Sequence, residues 1–205
     1  MTTTEDSLLS SSPRRASVRR RTRETSVEID LSLDGTGRIN ATTGLPFLDH
    51  MLQAMGLCAR IDLEVRAEGD LQVDDHHTVE DVALAIGRAL GSALGERRGI
   101  ARFADATVPL DEALVRVVID LSGRPFPAVR LPFVRERIGT VSTENLVHFL
   151  RTFANAGAMA LHVDRLFGEN DHHVAEAAFK ATGLALRRAI AIDGDSVLST
   201  KGALS

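Results

Sequence analysis

One six-residue pattern occurs twice in the chain and constrains its fold more than any other feature. Residues 75–80 and 171–176 both read D-H-H-x-x-E, 96 residues apart, and each copy is followed by an alanine- and leucine-rich run with a glycine at the same place. A further histidine, His50 or His148, precedes each copy in a similar apolar setting. Six of the seven histidines therefore form two matched sets, which predicts an internal duplication built around metal binding.

The periodicity of apolar residues predicts the same order of strands and helices in both halves. Predicted strands cover 23–33, 38–42, 61–67, 106–109, 113–121, 128–133 and 158–166, with a further short strand over 71–74, and predicted helices cover 47–57, 76–94, 143–156 and 172–190. The first two strands are expected to form a hairpin, and Ser142 or Thr143 is expected to cap the third helix.

This pattern predicts an α+β fold of two duplicated half-domains, each a mostly antiparallel sheet packed on two helices. The half-domains span 17–99 and 100–205 and share one core, since no linker separates them. Residues 1–16 are rich in Ser, Thr and Arg without periodicity, and we expect a disordered tail there.

Composition excludes several classes of protein. The net charge of -4 offers no basic field for nucleic acid, and the chain has neither Trp nor Tyr for base stacking. No apolar run reaches the roughly 18 residues of a membrane span, and the N-terminus lacks a signal-peptide core. The single cysteine, Cys58, excludes an intrachain disulfide. A cytoplasmic protein without a nucleic-acid or membrane partner is therefore expected.

The repeated pattern predicts metal binding because of helical geometry. Glu80 follows His76 by four residues and His77 by three, so one histidine can chelate an ion together with the glutamate. The other histidine points about 100° away and is available to a second ion. The second copy repeats this spacing, and the preceding histidines raise the count to three His and one Glu per ion. The predicted metal ligands are His50, His76, His77, Glu80, His148, His172, His173 and Glu176.

This donor set suits Mn, Fe, Zn or Ni, and the sequence does not choose among them. Four protein ligands in an octahedral site leave positions for water or substrate, which favours catalysis over a structural role.

Several long segments resemble the imidazoleglycerol-phosphate dehydratase family. The resemblance covers about residues 17–203 and is carried by residues 23–25 (RET), 44–52 (GLPFLDHML), 74–81 (DDHHTVED), 171–181 (DHHVAEAAFKA) and 199–202 (STKG).

The resemblance implies an enzyme of histidine biosynthesis that dehydrates D-erythro-imidazole glycerol phosphate to imidazole acetol phosphate. It also implies two Mn²⁺ ions per chain, a duplicated ribosomal-protein-like sandwich, and a homo-oligomer of 24 subunits with sites between subunits. Cations on both sides of the imidazole would favour its imidazolate form. That form could expel the hydroxyl through a diazafulvene-like intermediate, and the resulting enol would tautomerise.

Site roles follow from the same resemblance. Glu24 is expected to transfer the proton, while Glu80 and Glu176, also counted among the catalytic residues, are expected to act first as ligands. The expected substrate-binding residues include Glu24, Asp49 and Gln53. The other expected substrate-binding residues lie on the phosphate side and are Arg102, Arg124, Ser199, Thr200 and Lys201. Arg97 and Arg98 are second choices for phosphate.

Two other functions use the same ligands. A dinuclear hydrolase would bind both ions and form a bridging hydroxide, but would not need Glu24 or the phosphate set. A metal-storage module would have closed sites, and paired-metal helical bundles commonly use the reverse order, Glu-x-x-His, in an all-helical fold. The strand content of this sequence argues against the second alternative.

Overall fold

The computed structural model describes residues 13–202, which form two similar halves. The first half contains β1 (Arg15–Arg21), β2 (Thr25–Ser32), β3 (Ile39–Thr42), α1 (Pro46–Ala59), β4 (Asp62–Gly69) and α2 (His76–Leu94). The second half contains β5 (Phe103–Leu110), β6 (Ala113–Asp120), β7 (Phe126–Arg130), β8 (Arg137–Ile138), β9 (Val141–Ser142), α3 (Thr143–Ala156), β10 (Ala160–Phe167) and α4 (Asp171–Ala189). Apart from the small β8–β9 hairpin, the order of elements is repeated, as the duplicated motif predicted.

Each half forms one four-stranded sheet, in the orders β1-β2-β4-β3 and β5-β6-β10-β7. Two of the three pairings in each sheet are antiparallel, and the third, β3 with β4 or β7 with β10, is parallel. Along β2, Val27, Ile29 and Leu31 are buried and the residues between them are exposed, since successive side chains point to opposite faces of a sheet. The predicted α+β class with mostly antiparallel sheets is confirmed.

The sequence predicted a hairpin between residues 23–33 and 38–42, and this prediction is wrong. The strand near residues 38–42 is β3, which pairs in parallel with β4 rather than with β2. Asp62, at the start of β4, explains the difference: its Oδ1 accepts hydrogen bonds from the backbone N–H groups of Thr36 and Arg38, at 2.8 and 3.1 Å. These hydrogen bonds hold the loop before β3 at the start of β4, so that β3 pairs with β4 on the side opposite to β2.

Each helix lies between a sheet and a helix of the other half, so that one core is shared. α2 packs against β1, β2 and α3, whereas α4 packs against β5, β6 and α1. A glycine lies at each close helix contact: a Cβ on Gly183 would lie 2.1 Å from the backbone oxygen of Met55, and one on Gly87 would lie 2.8 Å from that of Phe153. These contacts place the first turns of α2 and α4 beside helices from the opposite half.

Other local predictions differ from the structure. β1 begins at Arg15, inside the predicted tail, and residues 1–12 lie outside the described part of the chain. Residues 71–74 form a turn, closed by a hydrogen bond from Val73 N to Asp70 O at 2.8 Å, rather than a strand. Ser142 precedes α3, but its hydroxyl donates to Asp75 instead of capping the helix. Within residues 13–202, none of the helices combines the length and hydropathy needed to span a membrane.

Candidate metal centre

The first candidate centre, here the Glu176 cluster, consists of His50, His172 and Glu176. His50 lies on α1, and the other two residues lie one turn apart at the start of α4. Glu176 Oε2 is 3.2 Å from His50 Nε2 and 3.3 Å from His172 Nε2. The three ligand atoms lie within 4.8 Å of one another, so a single ion could contact all of them.

The second candidate centre, the Glu80 cluster, repeats this arrangement with His76, Glu80 and His148. His76 and Glu80 lie one turn apart at the start of α2, and His148 lies on α3. Glu80 Oε1 is 3.0 Å from His148 Nε2, and the imidazole rings of His76 and His148 stack with centroids 4.9 Å apart. These three ligand atoms also lie within 4.8 Å of one another.

Both clusters combine the two halves of the chain. His50 precedes the first D-H-H-x-x-E motif but contacts the second one, because α1 packs against α4. His148 contacts the first motif for the corresponding reason, the packing of α2 against α3. The spacing along the sequence left open which motif each of these histidines would join, and the helix packing places His50 with the second motif and His148 with the first.

Buried carboxylates fix the start of each motif helix. Both carboxylate oxygens of Asp75 accept hydrogen bonds from Ser142, from its backbone N–H at 2.7 Å and its hydroxyl at 2.8 Å. Burial opposes ionisation of Asp75, but hydrogen bonds from Asn145 and Ser142 hold its pKa below the usual range. Asp171 accepts hydrogen bonds from the backbone N–H groups of Val134 and Arg135. The ligand-bearing turns are thereby held against neighbouring chain segments.

The remaining two predicted ligands, His77 and His173, do not belong to either cluster. His77 Nδ1 donates to Asp70 at 3.0 Å, and His173 Nδ1 donates to Glu112 at 2.7 Å. Each of these hydrogen bonds raises the pKa of its histidine, and the bond from His173 is the largest cause lowering the pKa of Glu112 to about 2. A carboxylate on Nδ1 fixes the tautomer and leaves the Nε2 lone pair available to an ion.

Lys180 distinguishes the two clusters. Its Nζ lies 2.7 Å from Glu176 Oε1, one helical turn away, whereas Leu84 occupies the corresponding position after Glu80. Burial opposes ionisation of Glu176, but hydrogen bonds from Lys180 and His50 hold its pKa below the usual range. The Glu176 cluster therefore contains a resident cation beside its carboxylate.

Glu24 lies close to the first motif, in the turn between β1 and β2. Its Oε2 is 3.9 Å from His77 Nε2, and its side chain is 55% exposed. This position is beside the outward-facing histidine rather than within the Glu80 cluster.

The predicted phosphate-binding residues lie at the opposite end of the molecule from the clusters. The backbone N–H of Arg102 donates to Ala189 O, in the last turn of α4, about 25 Å from His172 at 1.5 Å per residue. The Arg102 guanidinium is paired with Asp120 at 2.7 Å and also donates to Leu198 O, which holds the start of the segment containing Ser199, Thr200 and Lys201. Arg124 lies on the exposed loop between β6 and β7.

The other two predicted substrate residues lie on α1. Asp49 Oδ1 accepts hydrogen bonds from the backbone N–H and hydroxyl of Thr43, at 3.0 and 2.7 Å, so it fixes the loop that leads into the helix. Gln53 is exposed on the same helix as His50. Within one chain, Asp49 and Gln53 are thus near the Glu176 cluster, while the phosphate set is not.

The donor atoms of both clusters fit a divalent transition-metal ion. Two imidazole nitrogens and a carboxylate oxygen are the ligands that Mn, Fe and Zn share in proteins. Asn145 Oδ1 lies 3.1 Å from His76 Nδ1, and an acceptor there leaves the opposite ring nitrogen to an ion. Three protein ligands in each cluster leave further positions for another ligand, water or substrate.

Sequence reasoning missed four residues of these centres: Asp70, Glu112, Asn145 and Lys180. Only Lys180 carried a signal, since it follows Glu176 by four residues in a predicted helix. The other three contact histidines that lie 7, 61 and 69 residues away in the sequence, and no helical or strand periodicity identifies them.

Comparisons with known proteins identify the family of the chain. The family model of imidazoleglycerol-phosphate dehydratase matches residues 43–186. The Arabidopsis thaliana protein named imidazoleglycerol-phosphate dehydratase 1, chloroplastic, is 50% identical over 191 residues, which cover 92% of this chain and 71% of that protein. The Ruegeria pomeroyi imidazoleglycerol-phosphate dehydratase is 48% identical over 194 residues, covering 93% of this chain and all of that protein.

A solved structure extends the likeness to the fold. The crystal structure of imidazoleglycerol-phosphate dehydratase from Staphylococcus aureus matches with a TM-score of 0.79 at 32% identity, covering 87% of this chain and 99% of that chain. The chain therefore belongs to the imidazoleglycerol-phosphate dehydratase family, the hydro-lyases of histidine biosynthesis, and not to the hydrolases or metal-storage proteins considered as alternatives.

Proposed function

We propose that the chain dehydrates D-erythro-imidazole glycerol phosphate to imidazole acetol phosphate with two Mn²⁺ ions per chain. The observation that carries this proposal is the pair of matched clusters, each with two imidazoles and one carboxylate within 4.8 Å. The substrate is itself an imidazole, so it can act as an additional ligand at positions that the protein leaves open. When bound, the two ions supply Lewis-acid stabilisation of a substrate ring that has lost its N–H proton.

We propose further that each cluster is completed by a second copy of the chain. His77 and His173 each have Nδ1 held by a carboxylate, which prepares Nε2 for an ion outside their own cluster. Each ion would then have three histidines and one glutamate, the count expected from the sequence. The homo-oligomer of 24 subunits expected from the resemblance would provide such contacts.

The separation within one chain supports the same arrangement. The phosphate set around Arg102 lies about 25 Å from His172 along α4, farther than a small phosphate ester can reach. A substrate bound to the ions of one chain would therefore meet Arg124, Ser199, Thr200 and Lys201 of another. Arg102, paired with Asp120, would act there chiefly by holding the segment at Leu198.

In this proposal Glu24 moves the carbon-bound proton of the substrate. Its carboxylate lies at the rim of the site beside His77, where a bound imidazole would be within reach. Removal of that proton and departure of the hydroxyl together yield water, and the enol product then tautomerises. A positioned carboxylate contributes roughly 10²- to 10⁴-fold to such a step.

Metal content and assembly test the proposal together. Chelator-treated protein reconstituted with Mn²⁺ is expected to contain about two ions per chain by plasma mass spectrometry and to dehydrate the substrate. His77→Ala is expected to lose metal, activity and assembly together, because the missing ligand belongs to a site shared by two copies. A variant that remains metal-loaded while failing to assemble would contradict sharing.

His162 provides the matched control. It is the one histidine outside the two matched sets and lies on β10 against Phe126, with ring centroids 5.7 Å apart. His162→Ala is expected to retain two ions per chain, full assembly and turnover. Loss of metal in this control would show that the measurement reports general histidine content rather than the proposed sites.

A further inference from the structure

A chain of hydrogen bonds ties the turn that bears Glu24 to helix α2. Thr22 Oγ1 accepts from the backbone N–H of Glu24 at 3.1 Å and lies 3.2 Å from Thr25 Oγ1. The Thr25 hydroxyl donates to the buried carboxylate of Asp81, and Arg20 Nε donates to the other oxygen of that carboxylate at 2.8 Å. These four residues, Arg20, Thr22, Thr25 and Asp81, are here called the Asp81 network.

The second half of the chain has the same backbone arrangement at this place. A Cβ on Gly69 would lie 3.5 Å from Thr25 Cγ2, and one on Gly168 would lie 3.0 Å from Ala113 Cβ. Gly69 is the last residue of β4 and Gly168 directly follows β10, and each of these strands leads into a motif helix. Thr25 and Ala113 therefore occupy equivalent places, and so do the glutamates that precede them in the sequence.

The second half lacks the network. By the same equivalence and the register of the strands, the places of Arg20, Thr22, Thr25 and Asp81 are taken by Val108, Leu110, Ala113 and Ala177. There the glutamate itself ties the turn to the start of its helix, since Glu112 accepts hydrogen bonds from the backbone N–H groups of Glu169 and Asn170 at 3.2 and 2.8 Å. A buried carboxylate is costly unless it is hydrogen-bonded, and Asp81 is hydrogen-bonded to Thr25 and Arg20. The Asp81 network thus ties the turn to α2 without using the Glu24 carboxylate.

We propose that Asp81 is a positioning residue that acts through Thr25 and Thr22 to fix Glu24 against the active site. This proposal rests on the proposed function, in which Glu24 transfers the proton. The Glu24 side chain is 55% exposed and lies in a short turn, where neighbouring side chains cannot hold it by packing. Proton transfer requires a heavy-atom separation of roughly 2.6–3.2 Å, and a displacement of about 1 Å can cost roughly 100-fold in rate.

Substitution of Thr25 tests this proposal with little change in shape. Thr25→Val removes the hydroxyl that links Glu24 to Asp81, whereas Thr25→Ser retains it. We expect Thr25→Val to lower kcat about ten- to a hundredfold, with KM and Mn²⁺ content close to those of the wild type. Thr25→Ser is expected to stay within about threefold of wild-type kcat. Wild-type kcat in Thr25→Val, or equal losses in both variants, would overturn the positioning role.

A double-variant cycle separates this inference from the role of Glu24. If Thr25 acts only through Glu24, then adding Thr25→Val to Glu24→Gln should lower kcat no further. Full turnover in Glu24→Gln overturns the proposed proton-transfer role of Glu24 and this inference together, whereas absence of dehydration in the wild type overturns the proposed function. An inactive Glu24→Gln combined with a fully active Thr25→Val overturns the inference alone.

Transfer of the second half's residues controls for a folding defect. A variant with Arg20→Val, Thr22→Leu, Thr25→Ala and Asp81→Ala carries the residues that the second half has at the equivalent places. We expect it to assemble with two ions per chain and a Tm near that of the wild type, but with kcat reduced at least as much as in Thr25→Val. Unreduced kcat, or a loss of kcat that accompanies loss of metal or assembly, would show that the network has no specific connection to Glu24.

Discussion

The hairpin turns of the two halves place equivalent glutamates beside equivalent histidines and use them differently. In the second half, Glu112 accepts the Nδ1 hydrogen of His173 at 2.7 Å. In the first half, Asp70 holds His77 at 3.0 Å, and Glu24 lies 3.9 Å from the other ring nitrogen. Because a different carboxylate orients the histidine, the glutamate of the first half is available for chemistry.

This difference shows what the duplication preserved and what it changed. Both halves kept the helical motif, the preceding histidine and the glycine under the hairpin turn, which are needed for the shared backbone geometry. The first half differs because the carboxylate after β4, Asp70, contacts the histidine, and because it contains the Asp81 network. One half-domain therefore supplies the proposed proton-transfer group. The other uses its glutamate to hold His173 and the backbone at Glu169 and Asn170.

The largest expected effect is the loss of kcat in Glu24→Ala, which should differ in kind from the defect of Glu112→Ala. Glu24→Ala should lower kcat roughly 10³-fold, within the range for loss of a general acid or base, and added Mn²⁺ should not restore it. Glu112→Ala should weaken metal binding roughly 10- to 100-fold, as expected for loss of a carboxylate that orients a histidine ligand, and excess Mn²⁺ should restore much of the turnover. The measurement is kcat across a Mn²⁺ titration of both variants.

If excess Mn²⁺ restored kcat to the same extent in Glu24→Ala and Glu112→Ala, the two turns would not differ in function. Asp70→Ala provides a further comparison, since Asp70 does for His77 what Glu112 does for His173. Its defect should resemble that of Glu112→Ala and be relieved by Mn²⁺.

The helix contacts predict a smaller effect, on stability. Gly183→Ala should lower the free energy of unfolding by about 2–3 kcal/mol, because the new Cβ meets the backbone of Met55 at 2.1 Å and overpacking costs roughly this amount. Gly87→Ala should cost somewhat less, about 1–2 kcal/mol, since its Cβ would lie 2.7 Å from Ala156 Cβ. Thermal unfolding of the variants measures both changes.

Gly91 is the matched control for this comparison. It lies one turn after Gly87 on α2, and a Cβ there would meet nothing nearer than 4.0 Å. Gly91→Ala should raise the Tm slightly, because alanine is favoured over glycine in a helix by about 1 kcal/mol. Destabilisation by this variant would indicate that helical glycine itself, rather than the close contact, is needed.

The smallest expected effect concerns the two clusters. Lys180→Met removes the cation that lies 2.7 Å from Glu176 Oε1. It should tighten metal binding to the Glu176 cluster several-fold, because an ammonium group and a metal ion beside the same carboxylate repel each other even with solvent screening. Leu84→Met, at the equivalent place on α2, should leave the affinity of the Glu80 cluster unchanged. Mn²⁺ titration followed by electron paramagnetic resonance resolves the two classes of site, and equal affinities in all three proteins would contradict a role for the Lys180 charge.

Prediction from sequence succeeded where structure depends on local periodicity. α3 spans the predicted residues 143–156, and α2 begins at His76 as expected, because the spacing of apolar residues around a helix is a local property. The pairing of β3 was predicted wrongly, because it depends on Asp62, more than 20 residues farther along the chain. The residues that hydrogen-bond the motif histidines, Asp70, Glu112 and Asn145, were not predicted either. Each of them lies outside the helix that bears its histidine.

The sequence by itself indicated the types of candidate ligand and their duplication, because a histidine and a glutamate four residues apart on a helix share one face in any tertiary setting. Only the tertiary structure decided that His50 joins the second motif and His148 the first. That choice results from the packing of α1 on α4 and of α3 on α2, where glycines permit close approach of the helices. The contacts between histidine and glutamate join residues 68 and 126 positions apart, and no local pattern in the chain records them.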